Sequence, residues 1–432
     1  MSKKIFISSF FGTRNKGDQL MLLGLLGLLH DLNLQNFTIS TLYNTVEDSM
    51  KIDGVKFTPC LGRANKQIDK VKLFLAYYYL KIFHSKLCVK ILKKIIPEFS
   101  DTISEIETSS FLITTGGPFA VETTKTFCGV KVSSFNFITF FFELQVAKSL
   151  NIPYAILGQS FGSLKTSCGK RNFKSIIEST SFVYSRESGG LSLFLRSLDI
   201  KTNIHVLPDL AFYRNLFNSK GNDYTDTVQK LRSKKYIVIN VRNMSLSELQ
   251  YLFDTEESDV TKLQQKYFSI FSNIIKFLFQ SESFDFFVFF TQAINNDSIA
   301  AKNVIIQTGI TDDIFWVTPD NLTVKSSFEI FKNCRFCITT RYHSLIFAFL
   351  VNSPVLPVAY NPKIIYMLND LSIDIPVLKG GGFSFQKFCD LYKNTTFSYS
   401  NVHCESASEK LEKELTLLFT NNFQKKFRKH CF

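Results

Sequence analysis

An arginine and a histidine stand two residues apart between two apolar patterns in the second half of the chain. Residues 336–339 predict a strand, Arg341 and His343 follow it, and residues 345–351 predict a helix. A guanidinium and an imidazole there can bind an anion, because the helix amino end adds positive potential. A histidine beside an apolar helix can also be an ordinary core residue, so Arg341 carries most of this argument. Lys363, after the next strand pattern, is expected to add a cation.

A glycine-bearing turn near residue 15 is the second candidate site. Gly12, Asn15, Gly17 and Asp18 lie between a strand predicted over residues 4–9 and an apolar helix. Glycines permit a tight turn, and amides at a helix start can hold an anion or a sugar oxygen. The spacing fits neither a dinucleotide fingerprint nor a P-loop, and a generic strand-to-helix turn is the alternative. Asn15 and Asp18 favour a ligand site, because no packing reason for them is visible in the sequence.

Two further glycine turns are predicted at the ends of apolar strands. Gly116 and Gly117 follow the strand over residues 111–115, and Gly158, Gln159 and Gly162 follow the strand over residues 154–157. Ligands of open α/β sheets bind at the carboxyl ends of the strands. Together these turns predict that one edge of a sheet lines a binding cleft.

Two charged pairs also stand where strands should finish. Arg186 and Glu187 follow the strand predicted over residues 182–185, and Pro208 and Asp209 follow the apolar run 204–207. Arg186 is a candidate anion ligand at this position. A surface ion pair and a helix cap, respectively, are the alternatives.

Short apolar runs alternating with helical patterns predict an α/β fold with mostly parallel, buried strands. The predicted strands are residues 4–9, 111–115, 154–157, 182–185, 236–241, 286–290, 336–339 and 355–359. The length of 432 residues favours two lobes, and a polar stretch at 218–233 is predicted to link them. The expected domains are residues 1–217 and 234–432, and analogy with other two-lobed folds suggests that the last helix, 406–419, packs back on the first lobe.

Composition restricts the partners. The net charge of +13 favours anionic partners. Nine cysteines without a second C-x-x-C pair beside Cys334 and Cys337 indicate no metal site and a reducing, cytoplasmic location. No apolar run reaches the length of a membrane span. Residues 70–94 and 423–432 mix lysines with aromatic or aliphatic residues, so they could contact the inner membrane face or form ordinary surface elements.

Taken in order, these motifs resemble the polysaccharide pyruvyl transferase family. The resemblance runs from Lys4 to Lys363. It rests on the following residues: Gly12, Asn15, Gly17, Asp18, Gly116, Gly117, Gly158, Gln159, Gly162, Arg186, Glu187, Pro208, Asp209, Arg341, His343, Tyr360, Pro362 and Lys363. It implies two Rossmann-like lobes in a GT-B-like arrangement, with phosphoenolpyruvate bound by the second lobe, the acceptor by the first, and a cleft between them.

The resemblance also implies a reaction. An enolpyruvyl group would pass from phosphoenolpyruvate, the co-substrate, to a lipid-linked or nucleotide-linked sugar of a surface polysaccharide, forming a pyruvate ketal without another cofactor. Arg341, Arg186 and Lys363 would bind the anion, His343 would act as general acid, and Asp18 as base. Asn15, Gly17, Gly116, Gly117 and Gln159 would bind substrate.

Two other functions remain open at the level of sequence. A GT-B glycosyltransferase would use Arg341 and His343 to hold a nucleotide diphosphate. A non-catalytic basic protein would bind nucleic acid or membrane through its net charge. Polar strand ends that converge on one edge favour a small-molecule cleft, so no nucleic-acid partner is expected.

Overall fold

The protein forms two compact units in a computed structural model. The structure describes residues 4–9, 15–41, 52, 54–61, 67–116, 118–120, 122, 124–127, 130–133, 141–162, 164–196, 198, 200, 202–216, 226–281, 284–291, 294–310, 312–318, 322–394 and 402–429. The first unit comprises residues 1–13, 20–220 and 407–432, and the second comprises residues 14–19 and 221–406.

The strands of the first unit form a parallel sheet and a separate hairpin. They are β1 (Lys4–Ser9), β2 (Asn36–Thr41), β3 (Val55–Pro59), β4 (Phe111–Thr115), β5 (Pro118–Ala120), β6 (Thr124–Phe127), β7 (Val130–Ser133), β8 (Tyr154–Phe161), β9 (Phe182–Ser185) and β10 (Ile204–Val206). The sheet order is β10-β9-β8-β4-β1-β2-β3, with β5 beside β8. Strands β6 and β7 pair antiparallel.

The second unit contains a six-stranded sheet. Its strands are β11 (Tyr236–Asn240), β12 (Phe286–Phe290), β13 (Ile314–Val317), β14 (Phe336–Thr339), β15 (Val355–Ala359) and β16 (Leu378–Lys379). The order is β13-β12-β11-β14-β15-β16, and every one of these pairings is parallel. Two parallel sheets with helical connections confirm the predicted α/β class.

The helices follow the strands along most of the chain. They are α1 (Lys16–Asp31), α2 (Gln67–Phe83), α3 (Lys86–Ile95), α4 (Ser100–Glu107), α5 (Phe142–Ser149), α6 (Ser167–Ile177), α7 (Ser188–Arg196), α8 (Asp226–Leu231), α9 (Leu246–Phe253), α10 (Val260–Ser281), α11 (Ile294–Thr308), α12 (Val324–Asn333), α13 (Tyr342–Leu350), α14 (Pro362–Asp370), α15 (Phe385–Asn394) and α16 (Val402–Lys429). None of the helices in the described ranges combines the length and the hydropathy that a membrane span requires.

Every strand predicted from an apolar run is present, because runs of Ile, Val, Leu and Phe suit strands that are buried on both faces. The strands β2 and β13, which the sequence did not predict, lie nearer the sheet edges. Strand β2 reads Asn-Phe-Thr-Ile-Ser-Thr and β13 is only four residues long, so neither forms a continuous apolar run.

Strand β8 is longer than predicted, and the prediction of a glycine turn after residue 157 is wrong. The strand continues through Gly158 and Gln159 to Phe161. Gly158 has φ of +63°, and the register against β9 shifts between Ile156 and Gln159. A glycine at positive φ lets a strand absorb such a bulge and continue. The residues that looked like a turn are therefore part of the sheet.

The segment predicted as a linker contains a helix. Residues 226–231 form α8, in which Val228 and Leu231 are buried. These two apolar residues, three positions apart, are enough to anchor one short helix despite the polar composition around them. The boundary between the two units falls after residue 220.

The last helix packs on the first unit. Phe419 of α16 contacts the rings of Phe111 and Phe182, with centroids 6.2 and 5.2 Å away. Arg214 donates its backbone N–H to Ser408 at 3.0 Å and pairs with Glu412 at 3.0 Å. Aromatic contacts and this ion pair fix α16 against the ends of β4 and β9.

Candidate functional site

A buried asparagine organises the carboxyl edge of the second sheet. Asn240, the last residue of β11, accepts a hydrogen bond from the backbone N–H of Arg341 at 2.9 Å. The Asn240 Nδ2 donates to the carbonyl of Phe290 at 2.7 Å, and the Thr339 hydroxyl donates to the Asn240 Oδ1 at 3.3 Å. One side chain thus joins the ends of β11, β12 and β14 and fixes the backbone from which Arg341 projects.

Arg341 is oriented by a buried carboxylate that sequence reasoning missed. Asp297, in the first turn of α11, has no exposed side-chain surface. The Arg341 Nε donates to its two oxygens at 3.0 and 3.2 Å, and Nη2 donates to Oδ1 as well. Burial alone would lower the pKa of Arg341, but the attraction of Asp297 outweighs it and raises the pKa. Arg341 therefore stays charged, with Nη1 outside this pair.

Two further cations lie around a buried tyrosine at the same sheet edge. The Arg242 guanidinium lies 4.6 Å from the ring centroid of Tyr360, and Lys363 Nζ lies 5.7 Å from it. Burial raises the pKa of Tyr360, yet Lys363, Arg242 and Arg341 together lower it below the ordinary value. Tyr360 is only 1% exposed. The nearby cations therefore outweigh the effect of burial on the pKa of this phenol.

Arg242 was also missed from the sequence, although a signal was present. It stands two residues after the end of β11, as Arg341 stands two residues after the end of β14. Arg242 pairs with Glu248 at 3.1 Å, and Glu248 also closes the cap of α9 with Ser245. The two arginines therefore extend from neighbouring parallel strands, each held by a carboxylate.

His343 lies against the backbone at the start of α1. A Cβ placed on Gly17 would stand 2.1 Å from His343 Nδ1 and 2.3 Å from Cγ, so only glycine leaves room for the imidazole. His343 is 8% exposed. Its ring meets Tyr342 edge-on at 5.4 Å, and Lys363 Nζ lies 5.9 Å from the Tyr342 ring. The structure thus places Gly17 in contact with His343, and Lys363 near the Tyr342 ring that His343 meets.

Asn15 and Asp18 have a local structural role that the sequence did not reveal. The Asn15 side-chain oxygen accepts the backbone N–H of Gly17 at 3.1 Å, and its amide donates to Asp18 at 2.8 Å. Asn15 also accepts the Gln19 N–H through its backbone oxygen at 3.1 Å. These contacts stabilise the first turn of α1 and hold Asp18 one residue from the Gly17–His343 contact.

The first unit has its own buried polar atoms, on the neighbouring strands β4 and β8. Both polar atoms of Gln159, which is fully buried in β8, lack a hydrogen-bond partner within the described part of the structure. So does the hydroxyl of Thr115 at the end of neighbouring β4. Gly116 follows with φ of +87°, and Gly117 lies outside the described residues. Buried polar groups are normally paired, so these atoms suit a polar ligand.

Arg186 belongs to the first unit and is engaged inside it. It donates to Asp209 at 2.9 Å and to the Ser160 hydroxyl at 2.7 Å, and only 4% of its side chain is exposed. Asp209 also accepts the Ala211 N–H at the start of a short helix. This geometry favours a buried structural pair over an anion ligand, and the cap alternative for Asp209 is confirmed.

The two cysteines of the C-x-x-C pair make separate contacts. Cys334 donates to the carbonyl of Phe331 and Cys337 donates to that of Pro354, at 3.1 and 3.3 Å. Burial raises the pKa of Cys337 well above its usual range. The Cys337 thiol is therefore protonated, and both cysteines are buried at β14.

Comparison with known proteins gives one family and several structures. A family model described as polysaccharide pyruvyl transferase matches residues 15–362. No curated protein is similar enough to count as a match.

Solved structures resemble the whole chain at low identity. UDP-GlcNAc 2-epimerase from Methanocaldococcus jannaschii has a TM-score of 0.56 at 12% identity, covering 96% of this chain and 99% of its own. Anabaena HepE in complex with UDP-glucose has a TM-score of 0.56 at 9% identity, with 99% and 100% covered. Sucrose-phosphate synthase from Thermosynechococcus elongatus has 0.55 at 10% identity, with 98% and 99% covered. This similarity confirms the GT-B-like fold type and concerns the fold alone.

Proposed function

Because the chain belongs to the polysaccharide pyruvyl transferase family, we propose that it transfers an enolpyruvyl group from phosphoenolpyruvate to a sugar. The acceptor would be a surface polysaccharide or its lipid-linked or nucleotide-linked precursor, and the product a pyruvate ketal. The observation that carries the proposal is the group of Arg242, Arg341 and Lys363 around Tyr360, with His343 on the adjoining helix.

The three cations suit the charge of phosphoenolpyruvate. This substrate carries a carboxylate and a phosphate, and arginine binds both groups with paired N–H donors. Asp297 and Glu248 orient the two guanidinium groups before the substrate arrives. Arg341 and Arg242 would bind the phosphate and carboxylate, and Lys363 would add a mobile charge. Preorganised donors of this kind stabilise the charge that develops on the leaving phosphate.

His343 is the proposed general acid. It would donate a proton to the methylene carbon of phosphoenolpyruvate, which leaves a cation at the adjacent carbon. A sugar hydroxyl attacks that carbon and loses its proton, and the bond to the phosphate oxygen then breaks. Attack by a second hydroxyl of the sugar, with loss of its proton, closes the ketal and leaves inorganic phosphate. The steps require phosphoenolpyruvate as co-substrate and no other cofactor.

Asp18 is the proposed base for the attacking hydroxyl, and Asn15 would orient the sugar. The Gly17–His343 contact supports both assignments. Gly17 touches the proposed acid, His343, and Asp18 is the next residue in the chain. In the first unit, we propose that Gln159, Gly116 and Gly117 bind the acceptor. The unpartnered amide of Gln159 supports this assignment, because sugar hydroxyls both donate and accept hydrogen bonds.

Phosphate release from phosphoenolpyruvate, measured with a panel of lipid-linked and nucleotide-linked sugars, tests the proposal. We expect release that depends on the acceptor and that falls at least about tenfold in kcat/KM for Arg341→Ala, the loss expected for a charged hydrogen bond. Arg335→Ala removes an exposed arginine before β14 and should leave the rate unchanged. No phosphate release with any acceptor of the panel, with thermal stabilisation by a sugar nucleotide and none by phosphoenolpyruvate, would instead favour a glycosyltransferase.

We also propose a cytoplasmic location at the inner membrane face. Residues 70–94 support it through their lysines and apolar side chains, and a lipid-linked acceptor would be present there. Fractionation of cells into cytosol, membrane and exterior tests this, and recovery outside the cell would contradict it.

A further inference from the structure

Helices α2 and α3 expose several large apolar side chains to solvent. Six apolar residues of this pair are between 51% and 68% exposed: Val71, Leu75, Ile82, Phe83, Leu87 and Ile95. Four lysines of the same helices are exposed as well: Lys72, Lys86, Lys90 and Lys94. We call these ten residues the basic apolar face. Contiguous exposed apolar groups with a polar rim mark interaction surfaces in soluble proteins.

The spacing in α2 separates this face from the core. Leu73, Tyr77 and Leu80 are buried in the core of the first unit. Val71, Leu75 and Ile82 recur at intervals of four and seven residues, which places them along one stripe of a helix. The offset of two residues between the sets turns the stripe away from the buried side. The buried side of α2 therefore supplies its contacts to the core of the unit, and the stripe on the other side remains exposed to a partner.

The charge of the segment is of one sign. Residues 70–97 contain seven lysines and no aspartate or glutamate. Lys93 pairs with Glu107, and Lys81 donates to Asn172. The lysines of the basic apolar face form no ion pair with a carboxylate in the described ranges. Their charge is therefore available to an anionic partner.

The combination of charge and apolar surface selects one kind of partner. A second copy of the chain, docked face to face, would bring lysines opposite lysines, because a two-fold contact uses the same patch on both subunits. A nucleic acid would satisfy the lysines and leave Leu75, Ile82 and Phe83 in water. An anionic bilayer offers phosphate groups to the lysines and acyl chains to the apolar residues.

We propose that α2 and α3 form a docking surface for an anionic lipid bilayer. The helices lie along the surface, with the apolar residues at the level where head groups meet acyl chains and the lysines among the head groups. This inference names the surface behind the proposed membrane location. It does not depend on the pyruvyl transfer, since lipid binding is measured without phosphoenolpyruvate.

Sedimentation with vesicles tests the proposal on the full chain. We expect binding to vesicles of phosphatidylcholine mixed with phosphatidylglycerol, and much weaker binding to phosphatidylcholine alone. Each lysine near an anionic surface contributes about fivefold in affinity, so Lys86→Glu, Lys90→Glu and Lys94→Glu together should lower binding about a hundredfold or more. The matched control replaces exposed lysines elsewhere, Lys276, Lys302 and Lys332, in the same way and should retain far more binding.

A second set of variants tests the apolar residues. Leu75→Gln with Ile82→Gln should weaken binding at least about tenfold, because the two side chains no longer enter the acyl region. Leu193→Gln with Ile306→Gln changes residues that are 61% and 76% exposed on other helices and should have no effect. Thermal unfolding of all variants establishes that they are folded.

A fluorescence probe gives an independent reading of depth. Phe83→Trp, made with Trp316→Phe so that it is the sole tryptophan, should shift its emission to the blue on vesicle addition. Equal binding by the lysine variants and their control, no preference for anionic vesicles, or an unshifted probe would overturn the proposal. Self-association through Leu75 and Ile82 without vesicle binding would overturn it as well.

Discussion

The Arg341–Asp297 pair holds the guanidinium of the proposed anion site in place before substrate binds. Asp297 is fully buried, and its carboxylate receives three hydrogen bonds from the guanidinium. Removing one partner of a buried pair leaves an uncompensated charge, which is strongly destabilising. The pair therefore couples the stability of the second unit to the position of the proposed ligand.

We predict that Asp297→Asn lowers the free energy of unfolding by about 3 kcal/mol and raises KM for phosphoenolpyruvate. The amide keeps the shape of the carboxylate and loses its charge, so Arg341 is less firmly held. Denaturant unfolding and initial rates measure the two effects. Asp374→Asn, at an exposed position, is the control. Unchanged stability and unchanged KM would show that the pair does not position Arg341.

Gly17 provides a second prediction at the residue scale. A methyl group there would overlap the His343 imidazole, so Gly17→Ala must displace the ring or the start of α1. A displacement of about 1 Å at a reacting group costs on the order of a hundredfold in rate. We expect kcat to fall by that factor. Gly382→Ala, where nothing lies within 4 Å of the added Cβ, should keep the activity.

The coupling between the two positions can be checked directly. If Gly17→Ala acts through His343, the double variant with His343→Ala should be about as slow as His343→Ala alone. Additive losses would mean that Gly17 acts by another route.

At the scale of elements, one carboxylate ties three strands to a helix at the amino edge of the first sheet. Glu105 of α4 pairs with Lys4 of β1 and Lys56 of β3, and it accepts the Thr38 hydroxyl of β2 at 2.7 Å. Burial raises its pKa, but the hydrogen bonds from Lys4, Lys56 and Thr38 outweigh this and lower the pKa to about 2. The strand ends therefore favour the ionised form of Glu105.

The lowered pKa predicts a pH dependence of stability. A depressed folded-state pKa stabilises the protein above the unfolded value of 4.5, and the stabilisation is lost as pH falls from there toward 2. Glu105→Gln should therefore reduce stability at neutral pH and flatten its decline over this acidic window. Urea unfolding at several pH values measures how the free energy of unfolding changes with pH. Glu98→Gln, at an exposed site, should lose stability with falling pH to the same extent as the unsubstituted protein.

The elements that position the site differ in how far the sequence predicted them. Arg341, His343 and Lys363 stand within the turn or first helical residues after apolar strands, so their place near a sheet edge could be predicted from local pattern. Asp297 and Asn240 could not, because their partners are 44 and 101 residues away and meet only through the order β12-β11-β14. Arg242 could have been found, since it repeats the offset of Arg341 from its strand.

Some residues drew attention for their chemistry and have a structural explanation. Gly158 and Gln159 were predicted in a turn and lie inside β8, because a positive φ at one glycine is not visible in the residue pattern. Arg186 looked like an anion ligand, yet its carboxylate partner Asp209 stands 23 residues later in the chain. The deciding feature is a backbone conformation for Gly158 and a tertiary contact for Arg186.

At the scale of the whole molecule, the two units contribute different chemistry. The second unit holds Arg242, Arg341 and Lys363 near Tyr360, whereas the first has buried, uncharged polar groups at Thr115 and Gln159. An anionic co-substrate suits the former and a neutral sugar the latter. The basic apolar face of α2 and α3 adds exposed apolar groups, which we propose contact lipid. This distribution is consistent with an enzyme that modifies a sugar at a membrane.

The most direct test of the central claim is the mass of the acceptor after reaction with phosphoenolpyruvate. We predict that an acceptor with two suitably placed hydroxyls gains the mass of one pyruvate less one water, and that mild acid reverses the gain, as expected for a ketal. Arg341→Ala should lose this product and Arg335→Ala should form it. An acceptor that gains the mass of a sugar from a nucleotide donor, and none from phosphoenolpyruvate, would contradict the account.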